Sequence, residues 1–210
     1  MKILVLGATG RTGKLIVRQA LDQGHFVTIL VRDPRKLKME HANLKYVQGD
    51  ILNPEAVQTA MACNEAVISS LGLPPGQKSG DLMMRCMPII VKAMEFHGVH
   101  RLVFTSGIIM KTGQLSFLPR FVMRTIIRFM LSDQVRDKNA SERFLRKTTI
   151  DWTLVYPVTL TDGPPTGHYR FGENIVLKGL PKVSRADVAD LLLKLISDTP
   201  SIHRDFSFQQ

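Results

Sequence analysis

Short apolar runs recur along the chain at Lys2–Leu6, Phe26–Val31, Leu44–Gln48, Ala66–Leu71, Arg101–Thr105 and Asp151–Tyr156. They favour Val, Ile, Leu and aromatic residues and end on turn residues, so each is expected to be a buried β-strand. Between them the period lengthens to that of a helix. Leu15, Ile16, Ala20 and Leu21 share one face of a segment from Arg11 to Gln23, with Gly24 beyond its end. A second helix starts on the capping residue Asn53 and the first-turn Pro54. Asp81 is expected to cap a long helix to about His97-Gly98, and Ser184-Arg185-Ala186-Asp187 to open a last one to Ile196. Phe206–Gln209 is expected to add an edge strand. Strands alternating with helices predict an α/β fold with a doubly wound, mostly parallel sheet, in which ligands bind at the carboxyl ends of the strands. One domain covers 1–210, with loops near 73–80, 108–135 and 158–182 available to a substrate.

The chemistry begins at the first strand end. MKILVLGATGRTGK passes from a strand into Gly7, Gly10 and Gly13 and then into a helix. Free N–H groups at a helix start, the helix dipole and missing Cβ atoms make an anion site where a pyrophosphate can touch backbone. The spacing Gly-x-x-Gly-x-x-Gly is one residue longer at its front than the dinucleotide fingerprint, but it directly follows a strand, which is the context that motif requires. A nucleoside-triphosphate P-loop fails at both ends. Ala8 stands five residues before Gly13, and Leu15 stands where a Ser or Thr hydroxyl would hold Mg²⁺. The expectation is a single-domain Rossmann fold with a dinucleotide over Gly7, Thr9, Gly10, Arg11, Thr12 and Gly13.

Arg32 follows the second strand, where the adenosine ribose is met in such folds. A carboxylate there accepts from a free 2′-hydroxyl and repels a 2′-phosphate, whereas an arginine does the reverse. Arg11, Arg35, Lys36 and Lys38 are near it in sequence, so NADP(H) is expected over NAD(H), with Asp33 read as the cap of a short turn before Pro34. Asp50, at the third strand's end, is placed to accept from the adenine amino group, although Asp before a turn is also common for capping alone. Ile51, Leu71, Gly72, Thr105, Ser106 and Pro157 complete the expected cofactor contacts along the strand ends.

Composition narrows the alternatives. A chain of 210 residues, 44% hydrophobic, can bury a full core without disulfides. No apolar run approaches a membrane span, and Lys2 and Gly7 interrupt the N-terminus too early for a signal peptide, so a cytoplasmic protein is expected. Cys63 and Cys86 fall in helix-like segments without metal spacing and read as two reduced, core or half-buried thiols; no metal is expected. The net charge of +10 suits an anionic ligand, nucleic acid or an anionic membrane surface. Nucleic acid is not expected, since no basic-aromatic platform is apparent.

GATGRTG, LVRDP, TSG and the run LRKTTIDWTLVYPVTLTDGPPTG resemble the atypical short-chain dehydrogenase/reductases. Within them the chain is most similar to the NmrA-like NAD(P)H-binding proteins and the biliverdin-IXβ and flavin reductases, over essentially its whole length. In short-chain dehydrogenases a Ser, a Tyr and a Lys four residues after the Tyr polarise and protonate a substrate carbonyl, the ammonium lowering the phenol's pKa. On that pattern Ser106 matches the serine and Lys138 matches the lysine that holds the nicotinamide ribose, but Gln134 stands where the tyrosine would. The flavin reductase relatives also work without the tyrosine. They carry a histidine just after the proline that ends the sixth strand, where this chain has Val158. Tyr156 and Tyr169 are the candidate substitute acids, with packing the alternative for each.

Ser116–Leu131 carries Arg120, Arg124 and Arg128 at every fourth position, with Phe117, Phe121, Ile127 and Met130 around them. It reads as an amphipathic cover helix, as a pair of arginines (Arg120, Arg124) gripping an anionic substrate group, or as a weak contact with an anionic membrane surface. Met83, Met84 and Met87 offer either an adaptable pocket wall or core filling. The resemblance and the missing tyrosine together imply an NADPH-dependent reductase, expected as a monomer, that hands hydride to a small planar acceptor such as a flavin, a quinone or a linear tetrapyrrole. The alternative is an NADP(H)-binding redox sensor without turnover.

Overall fold

The computed structural model describes residues 1–73, 77–106, 132–173, 175 and 181–209. The chain runs β1 (Lys2–Leu6), α1 (Arg11–Asp22), β2 (Phe26–Val31), β3 (Leu44–Gln48), α2 (Pro54–Met61), β4 (Ala66–Ser69), α3 (Leu82–His97) and β5 (Arg101–Thr105). After the segment that lies outside the described residues come α4 (Ser132–Leu145), β6 (Asp151–Pro157), β7 (Thr159–Thr161), β8 (Arg170–Gly172), β9 (Lys182–Ser184), α5 (Arg185–Ile196) and β10 (Arg204–Gln209). The main sheet has the order β3-β2-β1-β4-β5-β6-β10-β8, and β7 pairs with β9 apart from it. All neighbours from β3 to β10 are parallel, and β8 is antiparallel. The order reverses between β1 and β4.

β1 shows why the sheet needs two covers. Ile3 and Val5 pack into the layer that contains Ile16, Val17 and Ala20 of α1 and Leu191, Leu192 and Leu195 of α5. Leu4 and Leu6 point the other way, into the layer of Val57 and Met61 of α2 and Cys86, Met87 and Ile90 of α3. A strand buried on both faces must be apolar at every position, and these four residues are at most 1% exposed. Met83 and Met87 fill the core and Met84 is exposed, so no methionine wall forms.

Four local expectations need correction. β10 is not an edge strand: it lies between β6 and β8, because the short antiparallel strand at Arg170–Gly172 covers it. β4 stops at Ser69, two residues early, since Ser70 and Leu71 turn their backbone toward Gly7. Asp81 does not cap α3 with its side chain; its backbone is left-handed (φ 54°), and the carboxylate of Asp137 on α4 accepts from the amides of Met83 (2.9 Å) and Met84 (2.8 Å) instead. Cys63 is exposed in the left-handed turn after α2, while Cys86 is buried as expected, its thiol pushed up to about 12 by burial. Asn53 caps α2 as expected, and Asp33 caps the 3-10 turn Pro34–Lys36.

The start of α5 carries a buried carboxylate that holds the neighbouring loop. Asp187 and Ser184 cap each other, and Asp187 also accepts from the amides of Thr166 (2.8 Å) and Gly167 (3.1 Å) and from the Thr166 hydroxyl. Burial alone would raise its pKa, but the hydrogen bonds from Ser184, Thr166 and Gly167 outweigh it and hold the carboxyl below the usual 3.8. The folded chain therefore binds this proton less readily than the unfolded one. The stabilisation is complete above about 3.8 and disappears as pH falls through the lower, folded-state value. Asp187→Ala is expected to cost about 2–3 kcal/mol near neutrality by orphaning those amides. Urea melts of parent and variant should differ by that amount at pH 7 and progressively less as the pH falls below about 3.8.

Candidate cofactor and active site

Three glycines shape the end of β1, for different reasons. Gly7 is left-handed (φ 83°), and a Cβ on it would lie 2.9 Å from the Ser70 carbonyl, so no other residue lets β1 and β4 end this close together. A Cβ on Gly13 would lie 2.1 Å from the Gly7 oxygen, which is how tightly α1 sits on the turn. Gly10 is the N-cap of α1, exposed, with no capping side chain, and its amide donates to the Gly7 oxygen at 3.0 Å. The first amides of α1 thus face outward without a capping side chain and with no acid in the first turn. That is the cradle a pyrophosphate requires.

Around this turn the expected residues fall at one end of the sheet. Thr9, Arg11 and Thr12 flank the cradle, Gly72 follows β4, Thr105 and Ser106 end β5, and Pro157 ends β6. Arg32 is exposed just past β2 and shares a hollow with Asp33, Pro34, Arg35 and Gln48. Asp33 is engaged by Arg35, whose side chain donates to both of its oxygens, so Arg32 is the cation left facing that hollow. Asp50 is exposed, and one of its oxygens accepts from the Leu52 amide at 2.8 Å, the turn-capping role anticipated as its alternative. Arg11, expected over the phosphates, pairs with Asp162, which also binds Arg185 at 2.8 Å. The pair is solvent-exposed and weak, so an incoming phosphate competes easily for Arg11. Arg120 and Arg124, with the rest of Ser116–Leu131, lie outside the described residues.

The β5 end holds a polar cluster that the sequence reading missed. Ser106, 3% exposed, donates its hydroxyl to Glu142 Oε1, and the Tyr156 hydroxyl donates to Glu142 Oε2 at 2.7 Å. The Arg146 guanidinium reaches the Tyr156 hydroxyl in turn. Burial, and then the Glu142 charge, push the Tyr156 pKa far up, so this phenol is no acid at neutral pH. Tyr169 is also spoken for: it donates to Asp190 and accepts from Lys194 at 3.0 Å, on α5. Neither tyrosine replaces the missing acid. Lys138 lies one turn before Glu142, its Nζ 3.9 Å from where a Cβ on Gly72 would stand, and burial lowers its pKa against the pull of Glu142 and Asp137. Gln134, one turn before Lys138, donates to the Gln77 carbonyl at 2.7 Å. The spacing Lys138-x-x-x-Glu142, two charges on one helix face, was the available signal for this cluster.

A parallel sheet in the order 3-2-1-4-5-6, with a glycine turn at the point where the order reverses, defines a dinucleotide-binding Rossmann protein. Residues 7–199 match the NAD(P)H-binding family, and the chain belongs to it. It is 30% identical over 161 residues to the photosystem II assembly factor Ycf39 of Synechocystis, covering 74% of this chain and 44% of that protein. The chain thus spans about half the length of such curated relatives. Among solved structures it is similar to a short-chain dehydrogenase/reductase from Veillonella parvula in complex with NADP (TM-score 0.80, 18% identity, 100% of this chain and 94% of that one). It is also similar to ChuY, an anaerobillin reductase from Escherichia coli O157:H7 (TM-score 0.79, 20% identity, 100% and 97%). At these identities the two structures speak for the fold, and the family that is shown is the NAD(P)H-binding one. Among the described residues no helix is long and apolar enough to cross a membrane, and no group of side chains has metal-binding geometry.

The glycines make separable predictions. Gly13→Ala gains about 1 kcal/mol of helix propensity but must relieve an overlap with backbone costing about 3 kcal/mol, so it should lower thermal stability markedly. Gly10→Val meets only the Gly7 oxygen at 3.2 Å. It should melt close to the parent yet lose at least about tenfold in NADPH affinity, measured by fluorescence titration.

Proposed function

We propose that the protein is an NADPH-dependent reductase that delivers hydride to a planar acceptor, a flavin, a quinone or a linear tetrapyrrole. What supports the reading most is the composition of the strand-end crevice. Among the described residues it carries a serine hydroxyl and a lysine, and no tyrosine suited to protonating an alkoxide: Gln134 has no proton to give, and Tyr156 is held protonated by burial and by Glu142. Acceptors that spread the incoming charge over a ring system can take their proton from water, so they need none of the missing equipment.

In this reading the amides at the start of α1, with Gly7, Thr9, Gly10, Arg11, Thr12 and Gly13, hold the pyrophosphate. Arg32 holds the 2′-phosphate, and the remaining Asp50 oxygen meets the adenine, with Ile51 beside it. Leu71, Gly72, Thr105 and Pro157 line the floor, Lys138 reaches the nicotinamide ribose, and Ser106 orients the nicotinamide or the acceptor. NADPH supplies the hydride when bound; the chain's part is to position it and to shape the acceptor's seat. Arg120 and Arg124 are proposed as the grip on an anionic acceptor group.

A second reading, an NADP(H)-binding regulator without turnover, draws on the same Gln134 and on relatives that are assembly factors by name. An acceptor screen separates the two. NADPH absorbance should fall with at least one of FMN, FAD, a quinone or biliverdin, and tight binding with no oxidation by any of them would favour the regulator.

Two variants sharpen the assignment. The parent should bind NADPH about tenfold to a hundredfold more tightly than NADH, and Arg32→Glu should abolish or reverse that preference. Equal affinities in the parent would remove Arg32 from the site. Ser106→Ala should slow single-turnover NADPH oxidation about tenfold to a thousandfold, read by stopped flow at saturating acceptor.

A further inference from the structure

Hydrogen-bond directions in the buried cluster are fixed from one end. A guanidinium has donors only, so the Tyr156 hydroxyl must accept from Arg146 and pass its own proton onward to Glu142 Oε2. A carboxylate has no proton to return, so Ser106 must likewise give its hydrogen to Glu142 Oε1. The serine's single proton therefore points into the protein, toward α4, and only its lone pairs remain for a ligand. Lys138, one turn earlier on the same helix, supplies the donor at this end of the sheet, beside Gly72.

We propose that Glu142 is a positioning residue that turns the Ser106 hydroxyl inward, so that Ser106 recognises its ligand as a hydrogen-bond acceptor and selects a group bearing N–H. This rests on the reductase reading above and deepens it. A serine that donates would polarise a carbonyl; one that accepts cannot, and instead favours an amide or ring N–H. Of the candidate ligands, the nicotinamide carboxamide, the N3–H of a flavin and the lactam N–H groups of a linear tetrapyrrole are of this kind and a quinone is not; the first two are the ones proposed.

The test is a binding measurement, independent of turnover. Each ligand is paired with an analogue that lacks the N–H: NADP⁺ with its 3-acetylpyridine analogue, in which methyl replaces the amide nitrogen, and FMN with N3-methyl-FMN in the presence of NADP⁺. The parent should prefer the N–H-bearing member of one pair by about tenfold, and which pair shows it identifies the source. Glu142→Gln keeps the shape but changes the polarity. Tyr156 still donates to the amide oxygen, so the amide nitrogen faces Ser106 and donates to it, freeing the serine proton for the ligand. In Glu142→Gln the preference should fall to within about twofold, and in Ser106→Ala it should vanish. A purely structural role for Glu142 would weaken both members of a pair alike and keep their ratio, which overturns the proposal. So does a parent that binds both members of both pairs equally, a result that decides the matter even if Glu142→Gln fails to fold. Failure of the reductase reading would look different: the NADP⁺ preference would stand while no acceptor oxidised NADPH.

Discussion

The contact on which the rest depends is the approach of α1 to the end of β1. The Gly7 oxygen lies where the Gly13 side chain would begin, and Gly7 in turn lies against the backbone of Ser70. These two approaches bring the ends of β1 and β4 together just where the strand order reverses, and they aim the first amides of α1 across the gap. Any side chain at Gly7 or Gly13 would separate helix from strand and spoil the anion cradle. The rest of the sheet extends this geometry outward: to β2 and Arg32 on one side, to β5 and Ser106 on the other.

Polar groups on α4 finish what the glycines start. Asp133 accepts from the Ser79 amide at 2.7 Å, Asp137 caps α3, Lys138 reaches the Gly72 region, and Glu142 holds Ser106 and Tyr156. Successive turns of one helix thus brace the segment before α3, its first turn, and the ends of β4, β5 and β6. The carboxylates do this through backbone amides and hydroxyls, partners that a buried or half-buried carboxylate needs if it is not to carry the cost of lost hydration.

Legibility in the sequence followed how local each determinant is. β1, β2, β3 and β5 were readable residue by residue, because apolar runs and closing turns are properties of neighbours along the chain. The shared edge of the sheet was readable too, since topology carries Gly72, Ser106 and Pro157 to it once the strands are known. The three-residue strands β7, β8 and β9 were not, for they owe their pairing to partners 10 or more positions away and have almost no pattern of their own. The cap on α3 misled for the same reason: Asp81 has the right residue type at the right place, but the carboxylate that serves comes from Asp137, over 50 positions later. Glu142 stayed hidden because a glutamate in a helix ordinarily faces water, and only the fold shows that this one is enclosed.

The tether between Gln134 and the Gln77 carbonyl bears on how such a site changes in evolution. Gln134, read from the sequence as standing where short-chain dehydrogenases carry their proton donor, fastens the segment before α3 to α4. A phenol at this position would therefore release that segment as it arrived, so a single substitution here would exchange a structural fastening for an acid rather than simply add one.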